Sequence, residues 1–201
     1  MKLKNITNAV LLGILAIYFS SCGTSGTATS IISRHNSPEV ATQTNQQQQK
    51  DYEYFMKRAI LMAKRAREFP FGAVIVRSQT GEIVSEGFNQ SRNSPTFHAE
   101  IDAINRCAKT HPLINWKELD LYTTAEPCTM CQSAIEWAGI SNVYYGSSIP
   151  YLKINGWWQI DIRAEEVARR TSFRKTRVVG AILEEECNLL YRKAHSSEIK
   201  K

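Results

Sequence analysis

The stretch Leu119-Asp120-Leu121-Tyr122-Thr123-Thr124-Ala125-Glu126-Pro127-Cys128-Thr129-Met130-Cys131 decides how this chain is read. Leu119 to Thr124 reads as a strand that delivers Glu126-Pro127-Cys128 to the start of a helix running to about Trp137. Pro127 suits a helix start because it brings no unsatisfied amide there and its φ is already helical. Cys128 and Cys131, three apart, then fall on one helix face. The positive end of that helix favours thiolate over thiol. Upstream, His98-Ala99-Glu100 opens a second helix, about His98 to Lys109, with Ile101, Ile104 and Cys107 turned to a core.

Taken together these pieces offer two thiolates and one imidazole, with a carboxylate beside them. Three protein ligands leave the fourth position of a zinc ion open to water, which is how catalytic rather than structural zinc sites are built. Water in such a position ionises near neutral pH. Glu100, two residues from His98, projects from the same first helical turn and is placed to move protons without ligating the metal. A Cys-x-x-Cys pair by itself also suits a structural zinc knuckle or a redox pair. The upstream His98 and Glu100 favour the catalytic arrangement.

At 201 residues and 43% hydrophobic, the chain is long enough for one good core, hence one folded domain. Its formal charge of +6 is modest and points only weakly to an anionic partner. Of five cysteines, Cys128 and Cys131 go to zinc. Cys107 and Cys187 lie on predicted helices, where free Cys packs as a small apolar residue; an oxidising compartment would permit a bridge between them instead.

Residues 1–22 combine Lys2 and Lys4 with an apolar run from Ala9 to Phe19 and then Ser20-Ser21-Cys22, the layout of a secretory signal. The run is short for a membrane span. Small residues just before a cysteine resemble a bacterial lipoprotein signal, cleaved before Cys22, which then carries the lipid. An uncleaved N-terminal anchor is the alternative, and both readings put an exported, membrane-tethered protein outside the cytoplasm. Residues 23–50 are polar and rich in Gln, with scarcely any large apolar residue to bury, and read as a disordered tether. The folded domain is expected over 51–201.

Within it, Asp51 to about Phe69 has the spacing of an amphipathic helix, whose basic residues form a solvated face or, as an alternative, a nucleic-acid patch. Ala73–Arg77 and Glu82–Gly87 read as a hairpin around Ser78-Gln79-Thr80-Gly81. Asn89, just after, can offer a donor and an acceptor to a base or simply form a turn. Asn142–Gly146 is a strand, the segment from Ile149 to Ile160 has no clear period, Arg163–Thr171 is a helix, Thr176–Leu183 a strand, and Glu184–Ala194 a final helix. The helix between the last two strands makes them parallel neighbours. Trp137 either packs under the site or walls a pocket.

Histidine-x-glutamate followed by Pro-Cys-x-x-Cys is the signature of zinc-dependent nucleobase deaminases. From about Tyr52 to Ala194 the chain resembles the cytidine deaminase-like superfamily, in the branch of guanine deaminases, nucleoside deaminases and tRNA adenosine deaminases. The resemblance rests on Pro70-Phe71-Gly72-Ala73-Val74-Ile75-Val76, Gly87-Phe88-Asn89, His98-Ala99-Glu100, Glu126-Pro127-Cys128 through Cys131 and Ala134-Ile135-Glu136-Trp137-Ala138. It implies a three-layer α/β/α sandwich around a five-stranded mixed sheet, with Zn2+ on His98, Cys128 and Cys131 and Glu100 as proton shuttle. It also implies base contacts from Asn89 and the Ala99 backbone, Phe71 near the pocket, and a homodimer. Thr129 stands where relatives usually have Pro. Pro150-Tyr151-Leu152-Lys153-Ile154-Asn155-Gly156-Trp157-Trp158 carries neither the acidic residues of guanine deaminases nor the D-x-K-x-G-A pattern of the tRNA enzymes. The resemblance therefore implies deamination of a small nucleobase or nucleoside, a purine by preference, in a pocket walled by aromatic rings. The rivals are an RNA-editing adenosine deaminase, favoured by Arg169, Arg170, Arg174, Lys175 and Arg177 but opposed by export, and a non-catalytic zinc-binding module.

Overall fold

A computed structural model describes residues 38–192; the signal-like segment with Cys22 lies outside the described residues. In chain order the elements are α1 (Pro38–Ala63), β1 (Gly72–Arg77), β2 (Ile83–Phe88), α2 (Ala99–Thr110), β3 (Leu119–Ala125), α3 (Thr129–Ala138), β4 (Asn142–Ser147), α4 (Ile149–Ile154), α5 (Ala164–Arg170), β5 (Arg177–Val179) and α6 (Glu184–Tyr191). The strands form one sheet in the order β2-β1-β3-β4-β5. The pairs β1/β2 and β1/β3 are antiparallel, and β3/β4 and β4/β5 are parallel. The expected five-stranded mixed sheet is present, with β5 parallel to β4.

Its central strands are buried on both faces, as a sheet covered by helices on each side requires. Along β1, Val74 and Val76 join Phe55, Met56 and Ala59 of α1 and Cys187 of α6 in one core. Ala73 and Ile75 face the other way, into a second core with Ala99, Ala103 and Cys107 of α2 and Ile135 of α3. The period-two alternation of strand side chains thus sets three layers, with α2 and α3 on the face opposite α1 and α6. Cys107 and Cys187 are free thiols in different cores on opposite sides of the sheet. They pack as apolar residues and do not bridge.

Two contacts fix α2, and with it His98, against the sheet. A side chain at Gly87 would place its Cβ 2.3 Å from the Ala99 carbonyl oxygen and 2.4 Å from the Ala103 nitrogen, so glycine is what lets the first turns of α2 lie on β2. The buried Asp102 carboxylate then accepts from the Phe88 amide at 3.2 Å and from Arg106 Nε at 2.8 Å.

The observed elements depart from the sequence reading in four places. Helix α1 begins at Pro38 rather than Asp51, so residues 38–50, expected to be tether, are helical; glutamine is a good helix former even where it has nothing to bury. The same helix ends at Ala63, where it presses on the start of β1 across Gly72, and Pro70 disfavours helix in the residue before it. The segment without a period contains α4, a helix too short to show one; its signals are Ser148, whose hydroxyl accepts from the Tyr151 amide, and Pro150 in the first turn. Strand β5 stops at Val179 because Ala181 and Leu183 take left-handed backbone conformations, and the Tyr145 ring occupies the space a side chain at Gly180 would need. Among the described residues no helix is long and apolar enough to cross a membrane.

Candidate metal centre and active site

His98 and Cys128 occupy equivalent places: each is the residue just before a helix, with extended backbone (φ −72°, ψ 167° and φ −61°, ψ 166°), and neither uses its side chain to cap. Pro127 therefore stands one residue outside α3, not within its first turn as expected. Cys131 lies one turn into α3, fully buried. Because both leading residues sit at N-caps, their side chains are free to converge in front of two positive helix ends.

The convergence has the dimensions of a zinc site. His98 Nδ1 is 3.6 Å from Cys128 Sγ and 3.5 Å from Cys131 Sγ, and the three donor atoms lie within 4.8 Å of one another. Tetrahedral Zn2+ with Zn–S of about 2.3 Å and Zn–N of about 2.05 Å separates sulfur from nitrogen by about 3.6 Å. Two sulfurs and one imidazole nitrogen also match the ligand preferences of that ion. The donor set fits Zn2+ and leaves one tetrahedral position to solvent or substrate.

Local electrostatics agree. Cys131 donates to the Cys128 sulfur, which holds the Cys128 thiol down to about 4, with help from His98. Cys131 itself is pushed well up, by that same shared proton and by burial. The His98 imidazole is raised, chiefly by its hydrogen bond with Cys128. Proton sharing of this kind is resolved by a dication, which deprotonates a coordinating thiol outright. Glu100 is 4% exposed, and burial, followed by the Cys128 thiolate, raises its carboxyl above the ordinary range. Its Oε1 accepts from Thr123 Oγ1 at 2.9 Å.

The remaining anticipated residues are distributed unevenly. Asn89 Oδ1 accepts from the amide of Ser91 at 2.9 Å and from its hydroxyl at 2.7 Å, forming a turn, and the Asn89 amide donates to the Phe71 carbonyl at 3.0 Å. Phe71 packs edge-on against Trp157 (5.3 Å) and tilted against Tyr191 (4.9 Å). Ala99 is buried in the first turn of α2. Trp137 is 75% exposed and lies on the Phe173 ring at 4.6 Å. Six residues past Cys131 at about 100° each, it points roughly 120° away from the metal face of α3, so it neither packs under the site nor sits in the core. An open groove of about 570 Å³ runs between α3 and α5, lined by Thr129, Glu166, Arg170 and Phe173 among others. The aromatic tail turns mostly inward: Trp157 is buried and donates to the Tyr191 carbonyl at 3.0 Å, whereas Trp158 is solvent-facing.

Two residues were not singled out in the sequence. Thr123 holds Glu100. Glu126, its side chain 1% exposed, accepts from Arg163 Nε at 2.7 and 2.8 Å and from the amides of Ile149 and Ala164, each at 2.9 Å. One carboxylate thus ties the metal loop to the starts of both α4 and α5. The available signal was position: an acidic residue between a strand wholly buried and a proline has no solvent to reach.

An α/β/α domain carrying three converging metal donors that leave one position open, with a buried carboxylate beside them, has the build of a catalytic rather than a structural zinc site. Residues 49–147 match the model of the cytidine and deoxycytidylate deaminase zinc-binding region, and the chain belongs to that family. It is 40% identical over 103 residues to guanine deaminase of Bacillus subtilis, covering 48% of this chain and 65% of that relative. To a tRNA-specific adenosine deaminase of Buchnera aphidicola it is 35% identical over 142 residues, covering 68% and 83%. In three dimensions it superimposes on guanine deaminase from Nitrosomonas europaea with a TM-score of 0.63 at 21% identity, over 71% of this chain and 83% of that one, a likeness of fold.

Proposed function

We propose that this protein hydrolytically replaces an exocyclic amine by oxygen on a small nucleobase or nucleoside, a guanine-like purine by preference, releasing ammonia. The observation that carries the reading is the tetrahedral spacing of His98, Cys128 and Cys131 with the buried Glu100 beside them. Zn2+ held there supplies a Lewis acid and a water that ionises near pH 7. Glu100, its carboxyl raised above the ordinary range by burial, accepts the proton released from the attacking water. It returns protons to the ring nitrogen and to the departing amine, so that water and the amine yield the oxo product and ammonia. Asn89, through its side-chain NH2, and the Ala99 backbone orient the base. Phe71 supports the pocket from its packing on Trp157 and Tyr191.

A second reading, deamination of adenosine in tRNA, is favoured by the similarity to the Buchnera enzyme over 83% of its length. Homodimerisation and tethering through a lipid on Cys22 are further parts of the proposal. The test is ammonia release by the zinc-loaded protein against bases, nucleosides and a tRNA anticodon stem. Turnover of a free purine is expected, with Glu100→Gln keeping its zinc and losing about 10²–10⁴-fold in rate. Turnover of the RNA alone would select the second reading, and no turnover of any member would leave a zinc-binding module.

A further inference from the structure

On β3 the side chains that face α2 and α3 are those of Leu119, Leu121 and Thr123 in alternation. The first two are fully buried leucines in the α2/α3 core, and the pattern calls for a third apolar residue. Thr123 stands there instead, with no exposed surface. A buried hydroxyl must find a partner or forfeit its solvation. Thr123 finds the Glu100 carboxylate, donating from Oγ1 to Oε1 at 2.9 Å. No other side-chain hydrogen bond to Glu100 from outside the metal donors is seen among the described residues.

We infer that Thr123 is a positioning residue for the reaction proposed above: by occupying Oε1 it fixes the rotamer of Glu100 and reserves the opposite oxygen, Oε2, for the proton transfers. The inference rests on the assignment of Glu100 as the acid/base.

The geometry requires such a device. Glu100 has three rotatable side-chain bonds and stands in the first turn of α2, where the intrahelical ladder holds its backbone but not its carboxylate. Proton transfer needs heavy atoms within about 2.6–3.2 Å in the right direction, and small misplacements of a reacting group cost rate steeply. Strand β3 is the most deeply buried strand of the sheet and is paired on both sides, to β1 and β4. A hydroxyl mounted on it is a rigid reference for a carboxylate mounted on a helix. Val would fill the same volume without a donor, and Ser would keep the donor without the methyl group.

The test uses Thr123→Val and Thr123→Ser in the full zinc-loaded chain, with Glu100→Gln alongside. In the Val variant, zinc content stays at the parent level and KM changes less than about threefold, while kcat falls at least tenfold. The Ser variant recovers most of kcat. High-resolution crystal structures of the zinc-loaded parent and Val variant supply a readout that needs no substrate: one Glu100 rotamer in the parent, and more than one or a displaced one in the variant. A purely structural role would instead lower the melting temperature and leave kcat of the folded fraction intact. Unchanged kcat in Thr123→Val where Glu100→Gln is inactive overturns the inference and leaves the reaction standing. If Glu100→Gln is fully active, or the parent turns over nothing, the reaction itself is wrong; the Glu100 rotamers then decide about Thr123, and an unmoved carboxylate overturns it.

Discussion

Asp120, the second residue of β3, has a largely buried carboxylate whose Oδ1 accepts from both Ser78 Oγ at 2.8 Å and Asn142 Nδ2 at 2.6 Å. Burial raises its carboxyl above the ordinary value despite those bonds and the nearby Arg177. For an acid whose folded-state value is raised, the native state holds its proton at a pH where the unfolded chain has lost it. Stability is then full below the unfolded value and declines as pH rises through the folded one. Asp120→Asn keeps an Oδ1 for both donors and removes the charge. At pH 7 it should be at least as stable as the parent, and that advantage should vanish by about pH 3.5, below the ordinary aspartate value. Urea titrations between pH 3.5 and 8 check the slope. Thr123 carries the same lesson from the other side: a polar residue where the strand's alternation asks for an apolar one marks a bond the sequence does not name. The convergence of His98, Cys128 and Cys131, with Glu100 beside them, was legible because metal and proton chemistry restrict residue type and spacing. The exposed placement of Trp137 was not, because its direction depends on where α3 begins, and a shift of one residue turns a side chain by about 100°.

At the scale of elements, the two helices that bear the donors are held by features of opposite kinds, an absent side chain and a buried carboxylate. Gly87→Ala drives a methyl group into the Ala99 carbonyl, so the first turn of α2 must shift and carry His98 with it. Overpacking of this kind costs about 1–3 kcal/mol, and here it should also weaken zinc retention against a chelator, which a distant destabilising change does not. Glu126→Ala leaves the amides of Ile149 and Ala164 and the Arg163 guanidinium without their shared acceptor. Its expected cost in urea denaturation is about 2–5 kcal/mol, carried mainly by the two buried amides left without an acceptor. Arg163→Ala should cost less, because Glu126 keeps two backbone donors and Arg163 is itself 46% exposed. The strand Gly72–Arg77 was readable as a continuous apolar run between turn residues, and the helix Ala99–Thr110 because its period repeats several times. Helix α4, at six residues, shows only its cap signals and no period; the Glu126 bond to the Ile149 amide that also fixes it is a tertiary contact no local pattern encodes, and β5 was read as a strand but not as one of only three residues.

For the molecule as a whole, the three metal donors lie at the leading ends of α2 and α3, on one face of the sheet, and none of them comes from the α1/α6 layer. A ligand that binds only the folded state adds RT ln(1 + [L]/Kd), about 2.7 kcal/mol at a hundredfold excess over Kd. For a domain of this size each kcal/mol is worth about 2–4 °C in Tm. Chelation should therefore lower Tm by about 5–11 °C, and readdition of Zn2+ should restore it. His98→Ala, lacking one of three donors, should melt near the chelated parent and respond little to chelator. Glu100→Gln should respond like the parent, because its carboxylate is no ligand. The loss should also be uneven. With the dication gone, the donors return to sharing protons, and Cys131, buried and held well above its ordinary value, is the one that keeps its proton. The N-terminal turns of α2 and α3 then lose their common anchor, while α1 and α6 keep the packing of Met56, Ala59 and Cys187 on Val74 and Val76. Hydrogen exchange should show amides at 100–104 and 130–134 losing protection on chelation, with α1 and α6 exchanging at the parent rate. Uniform loss of protection across both layers would mean that the metal supports the whole core rather than one face of it.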